Sequence, residues 1–385
     1  MVEVVELTDD ALLCRICKRL RKTAISVLGG YLLAEFTQLT LFPSGYPNWK
    51  TPSWEQRKLG DVATRHDNLR IPIAAKDRIP GDTPYYGANG IQGYVEGYTH
   101  EGEFVLVAED GATDLDNYPV QLISGLSWVN NHAHVIKAIP DVAQNRFIMH
   151  LIKSMDIASY LVGGTRAKLN AEVLMEIEIK LPSISEQIHI GAILSTLDSL
   201  ITLHQRKYDK LCTVKKSMLD KMFPKPGETE PEIRFEGFTD PWEQRKFLDV
   251  VDVCSGKDYK HLKEGSIPVY GTGGFMTNVD EALSYDRDAV GIGRKGTIDK
   301  PYLLKAPFWT VDTLFYAIPK SNIDLEFAHC SFLNVDWKSK DESTGLPSLS
   351  KEAINETIAL VPSFNEQSQL GEFFNNLDSL ITLHQ

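Results

Sequence analysis

Apolar residues recur at alternating steps of three and four along two stretches of this chain. From Ile190 onward the steps reach Ile190, Ile193, Leu197, Leu200, His204, Lys207, Leu211, Val214 and Met218, and seven of these nine positions are apolar. The same spacing returns at Leu370, Phe373, Leu377, Leu380 and His384. A heptad spacing of this kind predicts long helices that each pack along another helix.

The first of these helices is predicted to be long. Ser183 or Ser185 can cap its amino terminus, and Pro224 lies just beyond its carboxyl end. A helix from Ser185 to Met222 has 38 residues. At 1.5 Å per residue it would be about 57 Å long. The residues from 228 to 240 then read as a polar linker.

Short apolar runs rich in β-branched and aromatic residues occupy the rest of the chain, and Gly-rich turns such as Gly87–Gly90 and Gly271–Gly274 separate them. Together with the helices, these runs predict an α+β fold. The predicted strands are Phe104–Ala108, His134–Ile139, Ala289–Ile292 and Leu314–Ile318.

The chain also repeats itself. Trp54-Glu-Gln-Arg-Lys returns at Trp242, Pro182-Ser-Ile-Ser-Glu-Gln returns as Pro362-Ser-Phe-Asn-Glu-Gln, and the nine residues from Leu197 to Gln205 return unchanged as Leu377 to Gln385. The period is far longer than the about 20–50 residues of a solenoid unit, so the repeat indicates a duplicated domain. Each copy has a diverged body followed by a shared helical tail.

Two diverged bodies held apart by paired helices keep two binding surfaces at a fixed distance from each other. Half-site spacing on DNA is fixed by the distance between the two readers, so this layout suits the reading of two separated half-sites. Different bodies imply different half-sites, and therefore an asymmetric target.

Composition narrows the function only slightly. The net charge is −12 and the pI about 5.4. These values argue against a DNA-coating protein, but they leave room for a local basic surface. The five cysteines are scattered, and the lone pair Cys14 and Cys17 reads as two reduced thiols rather than a zinc site. The apolar run 24–33 is too short to span a membrane, so we expect a soluble, cytoplasmic protein.

Four common catalytic motifs are absent from this sequence. The chain has no phosphate-binding Gly-x-x-x-x-Gly-Lys-Ser/Thr, no His-Glu-x-x-His, no Gly-x-Ser-x-Gly and no Asn/Asp-Pro-Pro-Tyr/Phe. We therefore expect no catalytic centre and no metal site in this chain.

The repeated motifs resemble the specificity subunit of type I restriction–modification enzymes. The resemblance rests on the repeats at Trp54 and Trp242, at Pro182 and Pro362, and at Leu197 and Leu377, and it covers about residues 46–385. It implies two globular target-recognition domains joined by spacer helices, which pack as an antiparallel coiled coil with pseudo-two-fold symmetry. The implied boundaries are 1–45 for an unplaced amino-terminal segment, 46–180 and 228–360 for the recognition domains, and 181–227 and 361–385 for the spacers.

The resemblance further implies a set of partners. A subunit of this family binds double-stranded DNA and assembles with two modification subunits and with restriction subunits. The partner subunits, not this chain, would use S-adenosylmethionine, ATP and magnesium to methylate adenine at N6 and to cleave DNA. The expected target is bipartite and asymmetric, and no membrane is involved.

Two departures from the family pattern leave alternatives open. Residues 1–45 do not match the short segment with which the family usually begins. The second spacer reaches only Gln385, about twenty residues short of the repeat-one pattern. One alternative is therefore a truncated or rearranged, non-functional recognition cassette. Another is a self-contained restriction nuclease or methylase, which would need a further catalytic domain.

In the first body, amide, basic and aromatic side chains are the candidate DNA contacts. Asparagine can bond adenine bidentately, and arginine or lysine can reach guanine or phosphate. The alternative is that asparagine and histidine at a strand start satisfy backbone groups. His132 and His134 share one strand face, but no third metal ligand is evident. The candidates are Tyr86, Asn89, Asn130, Asn131, His132, His134, Arg166 and Lys168.

In the second body the best candidate is the stretch Gly291-Ile-Gly-Arg-Lys-Gly-Thr297. Its letters fit a dinucleotide loop, but no acidic residue follows about twenty positions later in a strand–helix–strand context. We interpret it as a basic loop that can approach DNA, with an ordinary solvated loop as the alternative. The candidates are Arg294, Lys295 and Thr297, followed by Lys257, Tyr259, Lys260, Tyr270, Lys300 and Thr313.

A basic helix face follows the first shared tail. Between Leu203 and Lys225 seven lysines and arginines stand against Asp209 and Asp220. This face could contact phosphates or an acidic partner, and an ordinary solvated face explains it equally well.

Overall fold

The computed structural model describes residues 54–164, 167–341 and 343–384. The unplaced segment 1–45, the pair Cys14 and Cys17, and the candidate Arg166 lie outside the described residues. The chain divides into two compact units between Leu203 and His204. Each unit is built around its own main hydrophobic core.

The first body combines two four-stranded sheets with a two-stranded ribbon. One sheet has the order β2-β9-β6-β7 and the other β4-β3-β8-β5, and the ribbon pairs β1 with β10. The strands are β1 Glu55–Lys58, β2 Ala63–Arg65, β3 Thr83–Gly87, β4 Gly90–Val95, β5 His100–Glu101, β6 Phe104–Ala108, β7 Val120–Ile123, β8 Leu126–Val129, β9 Ala133–Ala138 and β10 Glu178–Leu181. The helices are α1 Leu59–Val62, α2 Asn145–Ser154, α3 Ala171–Glu176 and α4 Ile184–Lys221, with 3-10 turns at Asp67–Leu69, Ala75–Asp77 and Ile157–Tyr160.

The second body repeats this plan with one strand fewer in one sheet. Its sheets have the orders β12-β18-β15-β16 and β14-β13-β17, and its ribbon pairs β11 with β19. The strands are β11 Glu243–Lys246, β12 Val251–Ser255, β13 Ile267–Gly271, β14 Gly274–Val279, β15 Ala289–Gly293, β16 Tyr302–Leu304, β17 Trp309–Thr310, β18 Leu314–Pro319 and β19 Ile358–Val361. The helices are α5 Phe247–Val250, α6 Leu325–Leu333, α7 Lys351–Glu356 and α8 Phe364–His384, with a 3-10 turn at Trp337–Lys340.

The α+β prediction is confirmed, and so are the four predicted strands. β6 and β15 are buried along their whole length, as expected for continuous apolar runs at the centre of a sheet. Both are flanked by antiparallel neighbours in the same order, β9 and β7 in the first body and β18 and β16 in the second.

The repeated tryptophan motif ties each body to its spacer helix. In the first unit Trp54 Nε1 donates to Glu186 Oε1 on α4 at 3.2 Å. In the second unit Trp242 Nε1 donates to Glu366 Oε1 on α8 at 3.2 Å. This motif therefore has a structural role in each body.

The long helix α4 ends within one residue of its predicted bounds and has 38 residues. In the second unit its last part runs antiparallel to α8, since Lys215 Nζ contacts Asp378 Oδ1 at 2.6 Å and His204 Nδ1 lies 2.9 Å from His384 Nδ1. The coiled coil of the two spacers stays a prediction.

The predicted helix-pairing positions have different environments. Leu211, Met218, Leu370 and Leu377 pack in the core of the second unit, and Phe373 stacks edge-to-face on Phe235. Ile190 packs instead against the core of the first body, while Leu197 and Leu200 are half-buried. The structure corrects Ile193 and Leu380, which are 37% and 45% exposed. The buried face of α8 runs through Gly371 and Phe374, because α8 packs on α6 as well as on α4.

A buried histidine, His150, lies between α2 and α4 in the first unit. His150 Nε2 lies 3.1 Å from Ser195 Oγ, with Asp198 and Lys153 nearby. Burial lowers the pKa of His150 from 6.5 to about 4. The folded unit therefore binds fewer protons than the unfolded chain between these values, so stability falls as the pH drops through this window.

We expect the free energy of unfolding of the first unit to fall by about 2 kcal/mol between pH 7 and pH 5 through this histidine. His150→Gln should remove most of that difference, as measured by urea unfolding at the two pH values. His189→Gln changes an exposed histidine on α4 and should leave it intact. An unaltered pH difference in the His150 variant would contradict the prediction.

Candidate nucleic-acid interface

The same backbone arrangement is built once in each body, at the end of the buried central strand. In the first body Glu109 N donates to His132 O at 2.8 Å, and Leu169 N donates to Glu109 O at 2.8 Å. In the second body Arg294 N donates to Thr313 O at 2.8 Å, and Leu349 N donates to Arg294 O at 2.9 Å. We call Glu109, Asp110 and His132 the strand-end site of the first body, and Arg294, Lys295 and Thr313 that of the second.

A charged cluster lies beneath the strand-end site of the first body. Glu109 accepts from Arg70 and from Lys168, both at 2.6 Å, and Asp67 Oδ2 lies 2.8 Å from His134 Nδ1. Burial by itself would raise the pKa of Glu109, but the two cations outweigh it and the pKa lies below its ordinary value. The cluster lines an open cleft of about 580 Å³.

His134 and Asn130 correct two of the predicted contacts. His134 is 1% exposed, and its Nε2 lies 2.8 Å from Leu169 O while its Nδ1 faces Asp67. Asn130 is 3% exposed, and its Oδ1 accepts from His132 N at 2.8 Å. A base contact by either side chain would break these bonds in a buried site, so both residues position the loop rather than read DNA.

The remaining candidates of the first body surround the same strand end. Asn131 and His132 lie on the turn before β9, and Tyr86 O accepts from Asn130 N at 3.0 Å. Asn89 braces the adjacent loop, since its Nδ2 donates to Gly111 O at 2.8 Å and its Oδ1 accepts from Thr113 N. Lys168 is exposed at its tip and paired with Glu109.

The second body brings most of its candidates to the segment 310–314. Lys257 N donates to Thr310 O at 2.9 Å, and Tyr270 O accepts from Val311 N at 3.0 Å. Arg294 and Lys295 are exposed beside Thr313. Thr297 follows in the same loop and is half-buried. Tyr259 packs into a small core, whereas Lys260 and Lys300 are exposed with no contact to the strand-end site among the described residues.

The basic face of α4 is partly neutralised within the second unit. Lys215 pairs with Asp378, and Lys221 Nζ lies 2.6 Å from Glu232. Arg206, Lys207, Lys210 and Lys216 remain exposed. The face available to an acidic partner or to phosphates is therefore narrower than the sequence indicated.

Sequence reasoning missed four charged residues of the first body, namely Asp67, Arg70, Glu109 and Asp110. One signal was present, since Glu109 and Asp110 follow the buried strand Phe104–Ala108 just as Arg294 and Lys295 follow Ala289–Gly293. In each repeat two charged residues follow the central strand, but they are acidic in the first repeat and basic in the second. This difference indicates that the two bodies use the position differently.

The comparison with known families decides the identity of the chain. The type I restriction modification DNA specificity domain matches residues 52–212 and again residues 239–385, once for each body with its spacer helix. The chain belongs to this family. Its two specificity domains each contain one strand-end site and the helix that follows.

Two curated relatives of this chain are named as specificity subunits of type I restriction enzymes. A putative type I restriction enzyme specificity subunit of Haemophilus influenzae is 46% identical over 146 residues, which are 38% of each chain. The EcoprrI specificity subunit of Escherichia coli is 32% identical over 117 residues, covering 30% of this chain and 28% of that one. The aligned parts thus span well under half of these two curated relatives.

A solved structure supports the fold over the longer range. The S subunit of a type I restriction–modification system from M. genitalium matches with a TM-score of 0.70 at 18% identity, covering 89% of this chain and 93% of that one. Among the described residues, no helix combines the length and the apolar character that crossing a membrane requires.

Proposed function

We propose that this chain is the DNA-reading subunit of a type I restriction–modification complex. The observation that supports it is the duplication itself, because one fold occurs twice in the chain, with a spacer helix after each copy and diverged loops at the strand-end site. Each body reads one half of a bipartite target, and the different loops make the halves different.

The chemistry belongs to the partners in this proposal. Two modification subunits would bind S-adenosylmethionine and methylate adenine, and restriction subunits would use ATP and magnesium to cleave. The chain itself recognises the DNA target sequence and thereby directs the partner subunits to it. We place the complex in the cytoplasm, in keeping with the thiols of Cys212, Cys254 and Cys330, which are free.

Base reading and phosphate binding fall to different residues. Arginine, lysine and asparagine side chains beside the strand-end sites can reach base edges in the major groove. Exposed lysines away from these sites, such as Lys260 and Lys300, suit the phosphate contacts that position a protein on the duplex without reading it.

The test is to co-express the chain with its modification subunit and to map methylated adenines across a genome by single-molecule sequencing. We expect one split motif, methylated on each strand, with a constant gap between its halves. The control is the same modification subunit with a specificity subunit already known to be active. Absence of new methylation beside an active control would refute the proposal.

Two further outcomes identify the alternatives. Methylation or cleavage of DNA by the purified chain alone would indicate a self-contained enzyme. Failure to co-purify with the competent modification subunit would indicate a non-functional recognition cassette.

A further inference from the structure

The two strand-end sites share one backbone and carry opposite charge. Arg294 occupies the place of Glu109 in the hydrogen-bond framework, and Lys295 occupies the place of Asp110. The isolated bridges agree, since Asp110 pairs with Lys168 and Lys295 pairs with Ser348 on the equivalent segments. Because the backbone is held in the same way, the side chains alone set the chemistry that each body presents.

In the first body the site presents acceptors. His132 Nδ1 lies 2.5 Å from Asp110 Oδ1, and the two side chains are 41% and 26% exposed. A carboxylate offers acceptor oxygens to a base edge, and the contact with His132 Nδ1 fixes the direction of the Asp110 side chain.

In the second body the equivalent site presents donors. Arg294 and Lys295 are both exposed and carry only N–H groups. The guanidinium of Arg294 is steadied by the ring of Phe315, 5.8 Å away, and by Asp312 O, 3.4 Å from Nη1. Gly296, with a φ of +88°, turns the loop immediately afterwards, and its N–H donates to Pro347 O.

The major groove offers partners of both kinds. Adenine N6 and cytosine N4 are amino donors, whereas guanine O6 and N7 are acceptors. An acceptor site matches the amino-bearing bases and rejects guanine O6, because two acceptors facing each other are left without a hydrogen bond. A donor site has the reverse preference.

We infer that the strand-end sites are base-reading positions of opposite specificity. Asp110, held by His132, reads an amino group of adenine or cytosine in the first half-site, and Arg294 with Lys295 reads guanine in the second. His132 is a positioning residue that holds the Asp110 carboxylate in place. This inference rests on the proposed function.

The test exchanges the chemistry of the first site for that of the second. The variant Asp110→Lys with His132→Thr, co-expressed with the modification subunit, is mapped by methylation sequencing. We expect the preference at one base pair of the first half-site to move from adenine or cytosine toward guanine by about tenfold or more. The second half-site and the gap should stay unchanged. The wild-type motif shows which of the two amino-bearing bases is read.

The matched control is Glu96→Lys, which makes the same change of charge on an exposed loop of the first body. It should leave the motif unchanged. An unaltered motif in the double variant, with the complex assembled, would overturn the inference.

A second variant covers the case in which the double variant does not assemble. Lys295→Asp alters an exposed side chain of the second body and should weaken selection of guanine in the second half-site alone. Retention of guanine there would overturn the inference. A wild-type chain that yields no split motif would instead refute the proposed function, so the two failures are distinguishable.

Discussion

Replacing Glu366 by alanine is expected to lower the free energy of unfolding of the second unit by about 3–5 kcal/mol. The Glu366 side chain is almost fully buried and accepts from Arg234 Nε at 2.8 Å, from Arg234 Nη2 at 2.9 Å and from Trp242 Nε1 at 3.2 Å. The carboxylate also raises the pKa of Arg234. Its removal leaves Arg234, whose side chain is 14% exposed, with only the Asp240 carbonyl as a partner among the described residues, and leaves the Trp242 indole N–H without its acceptor.

The repeat supplies the control for this prediction. Glu186 occupies the equivalent place in the first unit, bonds Trp54 Nε1 at 3.2 Å and is more exposed than Glu366. Glu186→Ala should therefore cost about 1 kcal/mol. Urea unfolding followed by tryptophan fluorescence measures both variants. Equal losses in the two variants would show that the buried ion pair adds nothing to the tryptophan bond.

Replacing Gly293 by alanine is expected to abolish methylation at the target while the chain remains folded. A Cβ on Gly293 would lie 2.0 Å from Thr297 O and 2.8 Å from Thr297 C, both backbone atoms. The loop that carries Arg294 and Lys295 must then move, because backbone atoms cannot turn aside as a flexible side chain can. Overpacking of this kind costs about 1–3 kcal/mol.

The control lies in the same body. A Cβ on Gly273 would meet no described atom within 4 Å, so Gly273→Ala should keep both stability and methylation. Methylation sequencing and thermal unfolding of the assembled complex measure the two variants side by side. Normal methylation by the Gly293 variant would show that the loop does not take part in recognition.

The local elements of this protein followed from its sequence. The alternation of three and four steps predicted a helix at α4, because a packed helix buries one apolar face, and the capping serine with Pro224 predicted its ends to within a residue. Runs such as Phe104–Ala108 and Leu314–Ile318 predicted central strands, because only a buried strand is apolar at every position. The identical tails revealed the duplication directly.

Which helix face is buried was decided by the tertiary structure. Leu380 fits the heptad as well as Leu377 does, but α8 packs on two helices at once, so its buried face passes through Phe374 instead. The periodicity of a sequence shows that a helix has an apolar face. Which residues of that face are buried depends on the elements that pack against the helix.

The strand-end sites also needed the tertiary structure, for a different reason. The offset between the repeats is 188 at Trp54 and Trp242, 185 at Glu109 and Arg294, and 181 at His132 and Thr313, because the connecting loops differ in length. No single offset aligns all of these residues between the two repeats. Their equivalent backbone hydrogen bonds, in contrast, identify which residue of one body corresponds to which residue of the other. The sequence by itself determined that the chain holds two diverged copies of one body. The folded backbone, which tolerates changes of loop length between fixed strands, decided which side chains stand in the same place with opposite charge.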